Sequence, residues 1–382
     1  MKIWAIIRKV IYLSLLIGIL IVLAVLKRNP DVAEGMTRTA MRGYGRAAAT
    51  VSSLVPFLSF TELVVVALAI ACLVLLILAI IDFFKIRWFK AINKLLALPC
   101  IILTVVALYS FSCEAAYNRK ELPLPYYTNE VARDDFSKIY NYFADDLDYC
   151  VDQLSFKENG DIEGTKLEDI ANDLKEAYKI IDGNSYFHPH FGSVKPMATS
   201  FIYRELQITG VTFSPFAEAN INVMNTNVNI PFTTAHELAH TKGVMRENDA
   251  NQLAFYVCVN SDKPYIRYSA YVAYFYQLAS MCSSSYLTEE QLNNLNPISE
   301  QYKQYVKTVN YVHDFWEKHD LLGNIGDWFN NLYIKSSGVP EGTSSYHGGT
   351  EYEFDPATNK FYPSMYQKLF FEKYYRLNPS AW

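Results

Sequence analysis

The sequence predicts a mostly α-helical fold with a small β element, an α+β arrangement in which three N-terminal transmembrane helices precede one large globular region. Three observations carry this. Long apolar runs nearly free of ionisable groups crowd the first third of the 382 residues. Beyond them, apolar residues recur at helical spacing, and one asparagine-rich stretch alternates with period two.

The runs are Val10 to Leu26, Leu63 to Ile81 and Leu95 to Phe111. Each is near the roughly 20 residues that cross a hydrocarbon core, with flanking residues making up the shortfall of the first and third. "MKIWAIIRK" has the basic start of a signal peptide, but "LAVLKRNP" offers no small-x-small cleavage site, so a retained anchor is expected. Residues 1–117 thus form a membrane region with spans at about 10–26, 63–81 and 95–111, embedded in a lipid bilayer. Lys85, Arg87, Lys90 and Lys94 crowd the short second loop, and Lys2, Arg8 and Lys9 precede the first span, which argues for a cytoplasmic N-terminus. Lys27, Arg28, Arg38, Arg42 and Arg46 in the first loop pull the other way. The second loop breaks the tie, because its cations sit beside two membrane ends, and everything after Phe111 is then expected outside the cytoplasm. Arg38, Arg42 and Arg46, spaced by four, would form a cationic helix stripe able to touch lipid phosphates, although a solvated face is the simpler expectation.

The formal net charge of -5 and the lack of a long basic run argue against nucleic acid as a partner. Of six cysteines, Cys72 and Cys100 fall in predicted spans. Cys113, Cys150, Cys258 and Cys282 do not, an even number that permits disulfides in an oxidising compartment and fixes no pairing. "NRKELPLPYYTNE", residues 118–130, reads as a linker, leaving 131–382 as the globular domain. There Phe136, Ile139, Phe143 and Leu147, then Leu167, Ile170, Leu174 and a later Ile181, mark amphipathic helices joined by the turn-rich "KENGDIEGT". In "NINVMNTNVNIP", Ile221, Val223, Val228 and Ile230 alternate with polar residues around "MNTN", which predicts a short hairpin from Asn220 to Ile230. Past Cys258 the pattern returns to aromatic-rich helix and ends near the Gly- and Ser-rich "SSGVPEGTSSYHGGT".

The chemistry concentrates in "FTTAHELAHTKGVMRENDAN", Phe232 to Asn251. His236 and His240 lie one helical turn apart and can aim their imidazoles at one point. Zn2+ accepts two such nitrogens, and in a catalytic site it takes a third protein ligand and leaves a position for water whose pKa falls toward about 7. Glu237 can reach that water as general base without being a ligand. The metzincin spacing HExxHxxGxxH matches at Gly243 but puts Arg246, a cation, where the last histidine would stand. If Gly243 ends the first helix in a left-handed cap and a second helix starts near Arg246, Glu247 can point back at the metal. Ala250 and Asn251 share its face, Ala250 permitting close helix approach and Asn251 able to orient a ligand by a hydrogen bond. Asp249 faces away. Ala250, Leu253, Ala254 and Val257 form the apolar stripe that would hold this second helix to the core.

"HELAH" followed by "ENDAN" resembles the HExxH and ExxA(D/N) pairing of gluzincin-type metallopeptidases. Most of the chain also resembles one family of bacterial membrane proteins, a domain of unknown function with several N-terminal spans and a zinc-peptidase-like domain. "PFLSFTELV", "SPFAEANINV", "PFTTAHELAHTKG" and "NNLYIKSSGVPEGTSSY" carry that resemblance. It implies a zincin-like fold for residues 131–382, His236, His240 and Glu247 as Zn2+ ligands and Glu237 as base. It further implies a peptide or protein substrate, in a multi-pass protein of the bacterial cell membrane. The separation of His240 from Glu247 is shorter than in many gluzincins.

Other candidates are weaker. His188 and His190 in "FHPHFG" flank a proline and have no partner at ligand spacing, so they read as polar loop residues. His313 and His319 read as packing or surface groups. His347, beside Tyr346, could donate to an oxyanion if its loop reached the metal, and Glu218 is expected to make structural hydrogen bonds. The leading expectation is a membrane-anchored zinc metallopeptidase with an extracytoplasmic catalytic domain, its hairpin offering an edge strand to an extended substrate. The flanks of the motif are too polar for a site inside the bilayer. The alternative is a catalytically inactive zincin-like cell-envelope binding or scaffold protein, whose abundant tyrosines would suit contact surfaces. A transporter is disfavoured by spans that lack ionisable groups.

Overall fold

Among the described residues, three helices have the length and apolarity to cross a bilayer, Ile3–Leu26, Phe60–Phe84 and Trp88–Ser112, and they mark the chain as a membrane protein. The computed structural model describes residues 2–126, 130–282, 287–295, 299–336 and 339–378. Each expected apolar run lies inside one of these helices. The third is interrupted at Leu96, between Trp88–Leu95 and Ala97–Ser112. Pro99 explains the break, since it has no N–H and its ring crowds the carbonyl four residues back. The first and third helices run parallel. Lys9 donates to Asn93 (2.6 Å), the Tyr12 and Thr104 hydroxyls bond (2.8 Å), and at the far end Lys27 meets Glu114 (2.9 Å).

The remainder is mostly helical with two small sheets. The strands are β1 (Val131–Ala132), β2 (Ser193–Pro196), β3 (Gly210–Phe213), β4 (Glu218–Ile221), β5 (Glu353–Asp355) and β6 (Lys360–Tyr362). One sheet has the order β1-β6-β5 and the other β2-β4-β3. In the second, central β4 is parallel to β2 and antiparallel to β3, with Gly210 opposite Ile221 and Phe213 opposite Glu218. That leaves β3 as an edge. The expected amphipathic faces are found: Phe136, Ile139, Phe143 and Leu147 are buried on helix Arg133–Asp152, as are Ile170 and Leu174 on Leu167–Ala177, and all join one core.

The expected hairpin from Asn220 to Ile230 does not form. β4 ends at Ile221, and a helix, Asn229–Thr241, begins where the return strand would lie. The asparagines explain the error, because their side chains bond to nearby backbone rather than alternating across a pleat. Asn222 Oδ1 accepts from Met224 N (3.0 Å) and Asn225 Oδ1 from Thr226 N (2.7 Å). Asp161 then accepts from Asn227 N and Val228 N, satisfying amides ahead of the helix.

The first loop is not a free tether. Glu34, on helix Pro30–Met36, forms a two-point ion pair with buried Arg119 (2.9 Å each), and Arg119 also donates to the carbonyls of Gly243 (2.9 Å) and Tyr186 (2.8 Å). Burial works against ionisation of Glu34, yet Arg119 and Arg38 outweigh it and hold its carboxyl down at about 2. The arginine stripe also makes contacts with the globular region at two positions, Arg38 staying exposed as it does so. Arg38 donates to Ser185 Oγ (3.1 Å), and Arg42 to the carbonyls of Ser185 (2.6 Å) and Phe187 (3.3 Å). Glu218, buried as expected of a structural group, caps the second span by accepting from Phe60 N (3.1 Å) and Thr61 N (2.8 Å). Cys72, Cys100, Cys113, Cys150 and Cys258 are free thiols, so none of them uses the disulfide option. The side chain of Cys282 lies outside the described residues.

Candidate metal centre

The helix Asn229–Thr241 is driven into the core by Ala235, Leu238 and Ala239, all fully buried. Its histidines sit one turn apart with ring centroids 4.7 Å apart. The turn that follows is set by Gly243, whose φ of +84° is costly for a residue with a Cβ. Gly243 N bonds to His240 O (3.0 Å) and Val244 N to Ala239 O (3.2 Å), the paired bonds of a Schellman cap. Arg246 is extended and the helix Glu247–Val259 starts immediately after it. Glu247 thus occupies the first turn, where a carboxylate is favoured by the helix dipole. Ala250, Leu253, Ala254 and Val257 are fully buried, as the stripe predicted.

This path brings His236, His240 and Glu247 together as a group able to hold a metal ion. His236 Nε2 is 3.1 Å from Glu247 Oε2 and 3.1 Å from His240 Nε2, and His240 Nε2 is 3.4 Å from the same carboxylate oxygen. Both imidazoles are committed at their other nitrogen. His236 Nδ1 bonds to Asn251 Oδ1 (2.8 Å) and His240 Nδ1 to the Val244 carbonyl (2.8 Å), acceptors that each require the proton on Nδ1. In the neutral rings both Nε2 atoms therefore present lone pairs toward each other and toward a carboxylate oxygen. Three acceptors facing one another repel unless a cation lies among them. Their separations match the roughly 3.3 Å edge of a tetrahedron with bonds of about 2.0–2.1 Å, so the donor set fits a small tetrahedral cation.

The electrostatics point the same way. Burial alone would lower the pKa of His240, but the charge and hydrogen bond of Glu247 push it up to about 9. Burial would raise Glu247, and the two histidines instead hold it far below the usual carboxylate range. Glu237 differs. It is buried, which raises its pKa, and it lies against β3 instead of in the triad. Thr212 Oγ1 is 2.7 Å from Glu237 Oε2, and a Cβ on Gly210 would come within 2.7 Å of the carboxylate side chain, so a glycine is needed for Glu237 to fit.

A cleft of about 720 Å3 opens over these groups. β3 supplies one wall, Asn330 and Phe329 of helix Gly323–Ser336 another, and Tyr346 and His347 the rim. Asn251 Nδ2 contacts the Tyr346 carbonyl (3.4 Å), tying that rim to the triad. His347 is thus near the site, whereas its position could not be read from sequence. β3 was missed, although Gly210 before the β-prone Val211, Thr212 and Phe213 was an available signal. His188 and His190 lie in a loop, as expected, and are packed rather than open to solvent. His188 is buried and donates from Nε2 to the Thr37 carbonyl (3.1 Å), its ring stacked on His190. Burial lowers both, His188 to about 3 and His190 to about 4, with nearby cations adding to the effect.

The family described as "Protein of unknown function (DUF3810)" matches residues 38–352, most of the chain including both helices of the triad, and the chain belongs to it. No curated protein and no solved structure matches.

Proposed function

We propose that this DUF3810 member is a membrane-anchored zinc metallopeptidase whose ligands are His236, His240 and Glu247. The observation that carries this reading is the convergence of two imidazole lone pairs and one carboxylate, beside a second buried carboxylate, in an open cleft. Zn2+ bound there would polarise a peptide carbonyl and acidify a water. Every other role falls to the chain. Glu237, with its raised pKa, is suited to take a proton from the attacking water and pass it to the departing amine. Thr212 fixes its carboxylate. Asn251 and the Val244 carbonyl hold the two imidazoles in the tautomer that presents Nε2. β3, in place of the expected hairpin, offers its free edge to an extended peptide. His347 and Tyr346 line the same cleft and are the candidates to donate to a developing oxyanion.

The first loop and the globular region pack on one side of the three spans, and the cations of the second loop support the reading that this side faces away from the cytoplasm. The test is Glu237→Gln in the purified full chain, assayed against a peptide library with zinc measured in parallel. The reading predicts retained zinc and lost hydrolysis. A wild type that holds zinc and cleaves nothing would instead favour a zincin-like binding or scaffold protein.

A further inference from the structure

Helix Gly323–Ser336 has two unlike faces. Ile334 is buried, and Asp327 and Asn330 turn toward the cleft. Opposite them, Leu321, Ile325, Trp328, Phe329 and Leu332 are 80, 48, 59, 58 and 53 % exposed. On a helix, positions 325, 328, 329 and 332 fall on one stripe, and the exposed Leu321 lies in the turn just before the helix. Such a contiguous apolar face is unusual in water and marks a contact surface.

Its place in the fold indicates what covers it. Glu62, in the first turn of the second span, accepts from Ala198 N (2.7 Å) and Thr199 N (3.0 Å), which pins the start of the short helix Ser200–Glu205 to the point where the chain enters the bilayer. That short helix exposes Phe201 and Ile202, and the residues that precede the span expose Phe57 and Leu58. It is only about 9 Å long at 1.5 Å per residue. Its far end holds the turn that leads into the amphipathic helix, through Leu322 N to Glu205 O (2.9 Å) and His319 to Glu205 (3.1 Å). The apolar stripe is thus tethered close to the membrane entry and includes a tryptophan, the residue favoured at headgroup level.

We infer that helix Gly323–Ser336 seats its apolar stripe in the bilayer surface, as an interfacial helix beside the mouth of the cleft. Phe329 belongs both to that stripe and to the cleft wall. Combined with the peptidase reading, on which this corollary rests, the seating selects peptide segments that leave a membrane or a lipid anchor as substrates.

The test places nitroxide labels at Ile325→Cys, Trp328→Cys, Leu332→Cys and, as the solvent-facing control, Asn324→Cys, in the full chain with Cys72 and Cys100 replaced by alanine. The protein is held in nanodiscs of phosphatidylethanolamine and phosphatidylglycerol. Collision with oxygen over a water-soluble nickel chelate is expected to rise several-fold at 325, 328 and 332 relative to 324. Equal, water-like values at all four positions would overturn the inference, and so would spin–spin broadening at 328 from a second copy covering the stripe. The reading needs no hydrolysis, so its failure leaves the peptidase proposal standing, and loss of that proposal leaves the depth measurement intact.

Discussion

The molecule contains two close histidine pairs, and their surroundings give them opposite characters. His236 and His240 direct Nε2 at Glu247, and His240 is pushed up to about 9 because the carboxylate outweighs burial. His188 and His190 stack with centroids 5.3 Å apart and fall to about 3 and 4, burial acting together with Lys242, Arg42 and Arg119. The first pair is arranged to receive a positive charge. The second is arranged to stay neutral, with His188 spending its Nε2 proton on the Thr37 carbonyl that fastens the first loop. Two histidines and burial do not make a metal site; a convergent anion and uncommitted lone pairs do.

The two pairs differ most sharply in what their loss does to bound metal. Alanine at His236, His240 or Glu247 should remove most bound zinc and all hydrolysis, whereas His188→Ala should leave zinc content unchanged, as read by metal analysis of the purified chain. Next, Glu237→Gln should lower turnover by about 10²–10⁴-fold with zinc retained, the range for a lost general base. Asn251→Ala should weaken zinc affinity by about 10–100-fold, since it frees the His236 ring from its hydrogen bond.

The smallest effect belongs to the neutral pair and appears in pH. His188 and His190 have folded pKa values of about 3 and 4, below the roughly 6.5 of an unfolded histidine, so the unfolded chain binds more protons between those limits. Their contribution to stability is present above about pH 6.5 and is lost progressively as pH falls toward the folded values. Thermal midpoints of the full chain should therefore drop between pH 7 and pH 5, and His188→Gln should flatten that slope.

Legibility followed the range of the interactions. The spans, the amphipathic helices and the turn at Gly243 are local, set by hydropathy, helical spacing and a left-handed glycine, and they could be read directly. The path from His240 to Glu247 was legible for the same reason, because seven residues and one cap determine it. The first loop was not. Its ion pair from Glu34 to Arg119 joins residues 85 positions apart, and nothing near either residue announces the partner. The Asn220–Ile230 stretch misled because asparagine serves turns as readily as it fills the polar face of a strand. β3 and the Tyr346–His347 rim come to the triad through tertiary packing alone.

The docked first loop also determines how the account should be tested. A fragment starting near Asn118 would lose Glu34 from Arg119, Thr37 from His188 and the Val55 carbonyl from the Lys195 ammonium, so the detergent-solubilised full chain is the proper sample. The most direct measurement is its metal content by mass spectrometry, in wild type, Glu247→Ala and His188→Ala. About one zinc per chain in wild type and His188→Ala, with a clear loss in Glu247→Ala, is the result predicted for a His-His-Glu site. Equal zinc in all three proteins, or none in wild type after zinc is added back, would contradict it.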